Sequence, residues 1–165
     1  MSKIRLLLTT AAIALCAIAF QLQTAPSVAA ATPTEAGSVI DFATSQLNKP
    51  YHLGADGMRR YDCSGLVYRT FKEEGLAQLI GGDRRARGYY AWFKDHGRIT
   101  HNPQPGDLVV WAHHGRKVSH VGIFYGYNRW GAPMAISALT SGVAIHHVHG
   151  INVPLKAYLH VNFGP

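Results

Sequence analysis

Cys63 lies in DCSGLV (62–67), between an acid and a serine, where a helical pattern begins. A thiol in the first turn of a helix is electrostatically prepared. The free N–H groups and the dipole favour the thiolate, lowering its pKa from about 8.5 towards neutrality. The same N–H groups can hydrogen-bond the oxyanion that forms on a carbonyl under attack. Such a nucleophile needs a base that later acts as acid for the leaving amine, and histidine suits that role. Ten histidines are present, so spacing has to choose among them. His120 opens HVGIFYG just after the turn HHGRKVS. A histidine at the start of a central strand can face a helix N-terminus packed across the sheet. Taken alone it is a weak sign, since a single histidine is more often a surface or core residue.

Elements must hold these residues in place. SVIDFATSQLNKPY (38–51) carries Val39, Ile40, Phe42, Ala43, Gln46 and Leu47 at helical spacing. Ser38 and Asp41 read as its capping box, and Asn48 with Pro50 as its stop. YHLGADGMRRY (51–61) reads as a glycine-bearing loop. A second helix is expected from Asp62 or Cys63, with Leu66, Val67, Thr70 and Phe71 as its apolar stripe and Gly75 as its stop. The stretch from 75 to 107 is mixed, with a short helix over Tyr89 to Lys94. Its aromatics, Tyr89, Tyr90, Trp92 and Phe93, read as core in preference to a sugar- or peptide-binding groove. From Asp107 the pattern turns to strands: DLVVWA, HVGIFYGY, PMAISAL, GVAIHHVH and LKAYLHVNF, separated by turns with Gly, Asn or Pro. Helices first and an antiparallel sheet of about five strands second is an α+β layout.

The first thirty residues read as an export signal. Lys3 and Arg5 precede the apolar run LLLTTAAIALCAIAF, and SVAAA offers small residues for cleavage near Ala29 to Ala31. The run is nearer 15 residues than the roughly 20 that span a bilayer. Leu15 before Cys16 is not the small residue a lipoprotein signal needs. The expected organisation is a signal at 1–30, a short polar tail at 31–37 and one domain over 38–165, secreted or periplasmic with no stable membrane anchor after cleavage. Cys63 would then be the single cysteine of the mature chain, unpaired where exported proteins usually pair their thiols. Loss of Lys3 and Arg5 leaves 14 basic side chains against 9 acidic ones. That excess suits an anionic polymer such as a cell wall, or a membrane surface. No RNA- or DNA-binding motif accompanies it, so nucleic acid is not an expected partner. A monomer without cofactor is expected.

The order of motifs raises the standing of His120. KPYHLGADGMRRYDCSGLVYRTFKEEG, then QPGDLVVWA, then VSHVGIFYG resembles the NlpC/p-sixty family of papain-like cell-wall peptidases. The family pattern has Pro-Tyr before a glycine loop, Asp-Cys-Ser-Gly at the nucleophile, Pro-Gly-Asp at a strand start and Ser-His-Val-Gly-Ile at the base. The resemblance covers roughly residues 38 to 145. It implies a papain-like fold and cleavage of peptidoglycan stem peptides, typically at the bond from D-γ-glutamate to a diamino acid. By the same match Cys63 is nucleophile, His120 is base, and Tyr51 falls near the oxyanion site. Asp62 and Ser64 flank the nucleophile, where they could bind substrate amide or amine groups; helix capping explains them equally well. Gly65 allows close packing, and Asp107 fixes a turn.

One position departs from the pattern. The third catalytic residue of the family, most often histidine, corresponds here to Ser137 in AISALTSG. A serine can accept a bond from an imidazole N–H but stabilises an imidazolium less well than histidine or a carboxylate. Thr140, His146, His147 and His149 are alternatives for the role. Three rival readings stand beside the peptidase: a wall-binding domain that has lost turnover, an amidase or acyltransferase using the same dyad, and a zinc peptidase. The last rests on HLGAD (52–56) and HVH (147–149), which resemble lysostaphin-type metallopeptidases and could supply two histidines and an aspartate to zinc.

Overall fold

The computed structural model describes residues 34–164. Thr34 is the N-cap of helix α1, Glu35–Ser45, its hydroxyl accepting from the Gly37 N–H at 3.1 Å. The helix therefore starts inside the stretch expected to be a polar tail, and the Ser38–Asp41 capping box does not form its start. A threonine with extended backbone one turn earlier fulfils the capping requirement first. A two-residue hairpin follows, β1 (Asp56–Gly57) with β2 (Arg60–Tyr61), within the expected glycine loop.

Helix α2 spans Cys63–Glu73 with Asp62 as its N-cap, and Gly75 at φ 71° ends it. Its buried face is Leu66, Val67, Thr70 and Phe71, with Gly65 beside them. After a short 3₁₀ turn at Ala77–Ile80 comes α3, Ala86–Asp95, longer than the helix expected there. Tyr89 and Phe93 are fully buried in the core.

The main sheet is antiparallel, built from β3 (Ile99–Thr100), β4 (Leu108–Trp111), β5 (His120–Tyr127), β6 (Pro133–Leu139), β7 (Gly142–His147) and β8 (Leu155–Leu159). Its order is β3-β8-β4-β5-β6-β7, so β5 lies inside the sheet. The five expected strands are all present. The sixth, β3, is a two-residue edge strand on β8, too short to leave an alternating pattern in the sequence. One face of the sheet packs Leu108, Val110, Val121, Ile123 and Ile136 against the helices. The other buries Val109, Trp111, Phe124, Ala135 and Val148 in a smaller cluster of its own. The outer side of β7 is paired at Val143: Asn48 N–H donates to the Val143 carbonyl and Val143 N–H to that of Lys49, both at 2.9 Å. No helix among the described residues is long and apolar enough to cross a membrane.

Candidate active site

Asp62 builds the N-terminus of α2. One carboxylate oxygen accepts from Gly65 N–H at 2.7 Å and Ser64 hydroxyl at 2.9 Å; the other accepts from Gly54 N–H at 2.8 Å. Both Asp62 and Ser64 are thus engaged in capping and in tying the preceding loop to the helix. Gly65 completes the junction. A Cβ there would fall 2.1 Å from the Ala55 carbonyl oxygen, which itself accepts the Asp62 N–H at 2.7 Å. Only glycine lets the helix start that close to the loop.

Cys63 follows directly, half-buried and free of any disulfide. Backbone N–H groups of Val121, Ser64 and Cys63 itself favour its thiolate, but burial is the larger influence and the Asp62 carboxylate adds to it. The thiol is therefore raised above its ordinary range, the reverse of the lowering expected from helix position alone. Desolvation has won over the dipole. Helix α2 packs on β5, and Cys63 shares a cavity with Val118 and Ser119, the two residues that precede His120.

His120 is brought to Ser137 by strand register. Trp111 pairs with His120 across β4–β5, while Ile123 opposite Ile136 sets Gly122 opposite Ser137. His120 and Ser137 therefore sit diagonally on one face, across a position with no side chain. A Cβ at Gly122 would lie 2.8 Å from that of Ser137. His120 Nε2 is 2.9 Å from Ser137 Oγ, which leaves Nδ1 as the nitrogen free for proton transfer. Burial, helped by nearby His146, lowers the His120 pKa to about 4, so its imidazole is neutral at physiological pH.

Two adjoining cavities share Tyr51 and Ser119. One, about 370 Å³, is lined by Cys63, Asp62, Ser64, Arg85 and Arg87; the other, about 430 Å³, by His120, Leu139, Thr140 and Ile151. The two candidate reacting groups thus line neighbouring cavities that meet at Tyr51 and Ser119. Tyr51 forms a β-bridge with Tyr61, and burial, with Cys63 and Asp62 close by, raises its phenol above the ordinary tyrosine range.

Of the alternatives for the third position, Thr140 is exposed and His147 and His149 are exposed beyond the end of the pairing with β6 or near it. His146 is different: its Nε2 is 2.8 Å from the same Ser137 Oγ. It backs Ser137 instead of replacing it, a link only the β6–β7 register discloses. Asp107 is fully buried and holds a turn, accepting from the N–H groups of Gln104 and Val161, each at 2.9 Å. Among the described residues no three His, Cys, Asp or Glu side chains gather as metal ligands, and His52 and Asp56 are exposed.

Comparison with known proteins follows the same lines. Residues 48–161 match the sequence model of the NlpC/P60 family. The chain is 35% identical over 109 residues to "Probable endopeptidase p60" of Listeria grayi, a match covering 66% of this chain and 19% of that protein. It therefore spans about a fifth of that relative's length. Among solved structures, NlpC1 from Trichomonas vaginalis superposes with a TM-score of 0.64 at 20% identity, covering 81% of this chain and 46% of that one. The NlpC/p60 domain of peptidoglycan hydrolase SagA gives 0.54 at 20% identity, over 76% of this chain and 98% of that one. With α2, the strand that opens on His120 and every strand paired with it inside the matched span, the chain belongs to the NlpC/P60 family.

Proposed function

We propose that this domain is a cysteine peptidase of the bacterial cell wall, cutting peptidoglycan stem peptides at the bond from D-γ-glutamate to a diamino acid. The observation that carries the reading is that Cys63, at the start of α2, lines one cavity with Ser119, directly before His120 at the start of β5, where Ser137 engages His120 Nε2. Arg85 and Arg87 in the cavity beside Cys63 suit a substrate with a free carboxylate, and a γ-linked glutamate leaves its α-carboxylate free. The peptidoglycan activity in the description of one solved relative agrees with this choice of polymer.

In the reaction so read, Cys63 Sγ attacks the amide carbonyl as His120 Nδ1 takes the thiol proton. N–H groups at the start of α2, with the Tyr51 phenol, stabilise the oxyanion. Asp62 and Ser64 serve first as the cap that aims those groups. As the C–N bond breaks, His120 passes the proton to the leaving amine. Water, with His120 again as base, then hydrolyses the thioester and returns Cys63. Residues 1–30, which lie outside the described residues, are read as the signal that delivers the domain to the wall.

Purified peptidoglycan digested with the domain, and the released fragments weighed by mass spectrometry, tests this. Fragments ending at D-γ-glutamate are expected from the wild type and none from Cys63→Ala or His120→Ala variants that keep the native circular dichroism spectrum. Wild-type release by either variant overturns the dyad; cleavage at another bond overturns the assigned specificity.

A further inference from the structure

A serine makes a poor third catalytic member for a specific reason. Its hydroxyl rotates, so it can accept from a histidine N–H or donate to a histidine lone pair with equal ease. Alone, Ser137 would not decide which nitrogen of His120 carries the proton. The second neighbour of Ser137 removes that ambiguity.

The direction is set at the far end. His146 Nδ1 lies 2.9 Å from the His147 carbonyl oxygen, which can only accept, so Nδ1 carries the proton. Burial disfavours a charge on His146, and its neutral ring presents a lone pair at Nε2, 2.8 Å from Ser137 Oγ. The Ser137 hydroxyl therefore donates to His146. With its single proton used, Ser137 Oγ can only accept from His120 Nε2 at 2.9 Å. That fixes His120 as the Nε2–H tautomer with its lone pair on Nδ1.

We propose that His146 is a positioning residue for His120, acting through Ser137 so that a backbone carbonyl at position 147 sets the tautomer of the base. This rests on the reading of His120 as general base. The fold supports the relay. Ser137 pairs with Ala144, so His146 is its diagonal neighbour on the same face. Both histidine rings lie against Trp111, with centroids 5.1 and 5.9 Å away, and the Trp111 indole N–H is itself held by the Val148 carbonyl at 2.8 Å. Ser137 is fully buried, so water does not compete for its hydroxyl. When Nδ1 of His120 gains a proton, the Nε2–H bond to Ser137 stays as it was. No hydrogen bond in the relay has to reverse during turnover.

Long-range ¹H–¹⁵N correlation spectra of the ¹⁵N-labelled domain at neutral pH read the tautomer directly. The Nε2–H form of His120 is expected in the wild type, and a mixture of both tautomers in His146→Phe, which keeps a ring against Trp111 but has no acceptor. An Nδ1–H form in the wild type, or a tautomer unmoved by His146→Phe, overturns the relay. On a stem-peptide substrate, His146→Phe should lower kcat about tenfold to a hundredfold with KM little changed. His146→Gln, whose amide oxygen accepts, should recover most of that loss. The double variant Ser137→Ala/His146→Phe should be no slower than Ser137→Ala, because one broken link already severs the relay. Multiplying losses overturn it. A wild type that cleaves no stem peptide overturns the peptidase reading instead, and the spectra still decide the relay.

Discussion

At Cys63 two influences oppose each other. The start of α2 supplies N–H groups that favour a thiolate, while burial and the Asp62 carboxylate push the thiol up. Burial likewise holds His120 near a pKa of about 4. At neutral pH the two groups are thus thiol and neutral imidazole, and in the proposed reaction charge develops only as the sulfur attacks. This fixes the pH dependence. kcat/KM should rise with a limb near pH 4, stay level through neutrality and fall only above the ordinary thiol range, since it reports the free-enzyme groups. An acid limb near pH 6.5 would contradict the buried, uncharged base. Stability carries the same signature. The unfolded chain binds a proton at His120 near pH 6.5 and the folded chain near 4, so stability is full above 6.5 and declines as pH falls towards 4. The decline is about 3 kcal/mol, and urea titrations should show it diminished in His120→Gln. Ser137→His restores the residue type usual in the family, yet the site is closed to it. Ser137 is fully buried, with Ile136, Gly122 and two imidazoles around it. We expect this variant to lose roughly 1–3 kcal/mol through overpacking and to lose activity with it. A faster enzyme would show that the slot can open.

At the level of elements, the junction between the 51–61 loop and α2 governs where Cys63 sits. Gly65→Ala places a methyl on the Ala55 carbonyl, and backbone must move to admit it. A cost of roughly 3 kcal/mol is expected, lowering Tm by on the order of 10 °C. The activity lost at temperatures where the variant is still folded should exceed that of a core substitution of equal cost, because the shift falls on Cys63. Equal losses would mean that the junction only stabilises. Much of this scale was legible in the chain. The stripe Leu66, Val67, Thr70, Phe71 and the stop at Gly75 gave α2 its length, and β-branched runs between turn residues gave the five long strands. Local pattern failed where a tertiary contact or a competing cap decided. Thr34 outcompeted Ser38, and β1, β2 and β3, of two residues each, are pairings without a periodicity of their own.

Across the whole molecule, the site depends on contacts between residues far apart in sequence. Cys63 and His120 stand out as candidates because each sits in a motif of its own, and the motifs come in a recognisable order. His146 was legible only as one of several late histidines, since its tie to Ser137 depends on which residues β6 and β7 bring side by side. The direction of the Cys63 shift is not legible in the sequence for a related reason: burial is a property of the assembled fold and not of a helix start. In the proposed function, Cys63 hydrolyses peptidoglycan through its thiol. The most direct test is digestion of purified peptidoglycan in three parallel samples: untreated, with a thiol alkylator, and with a zinc chelator. Soluble stem-peptide fragments are expected, abolished by the alkylator and unchanged by the chelator. Release that survives alkylation of Cys63, or that the chelator alone stops, would contradict the thiol mechanism.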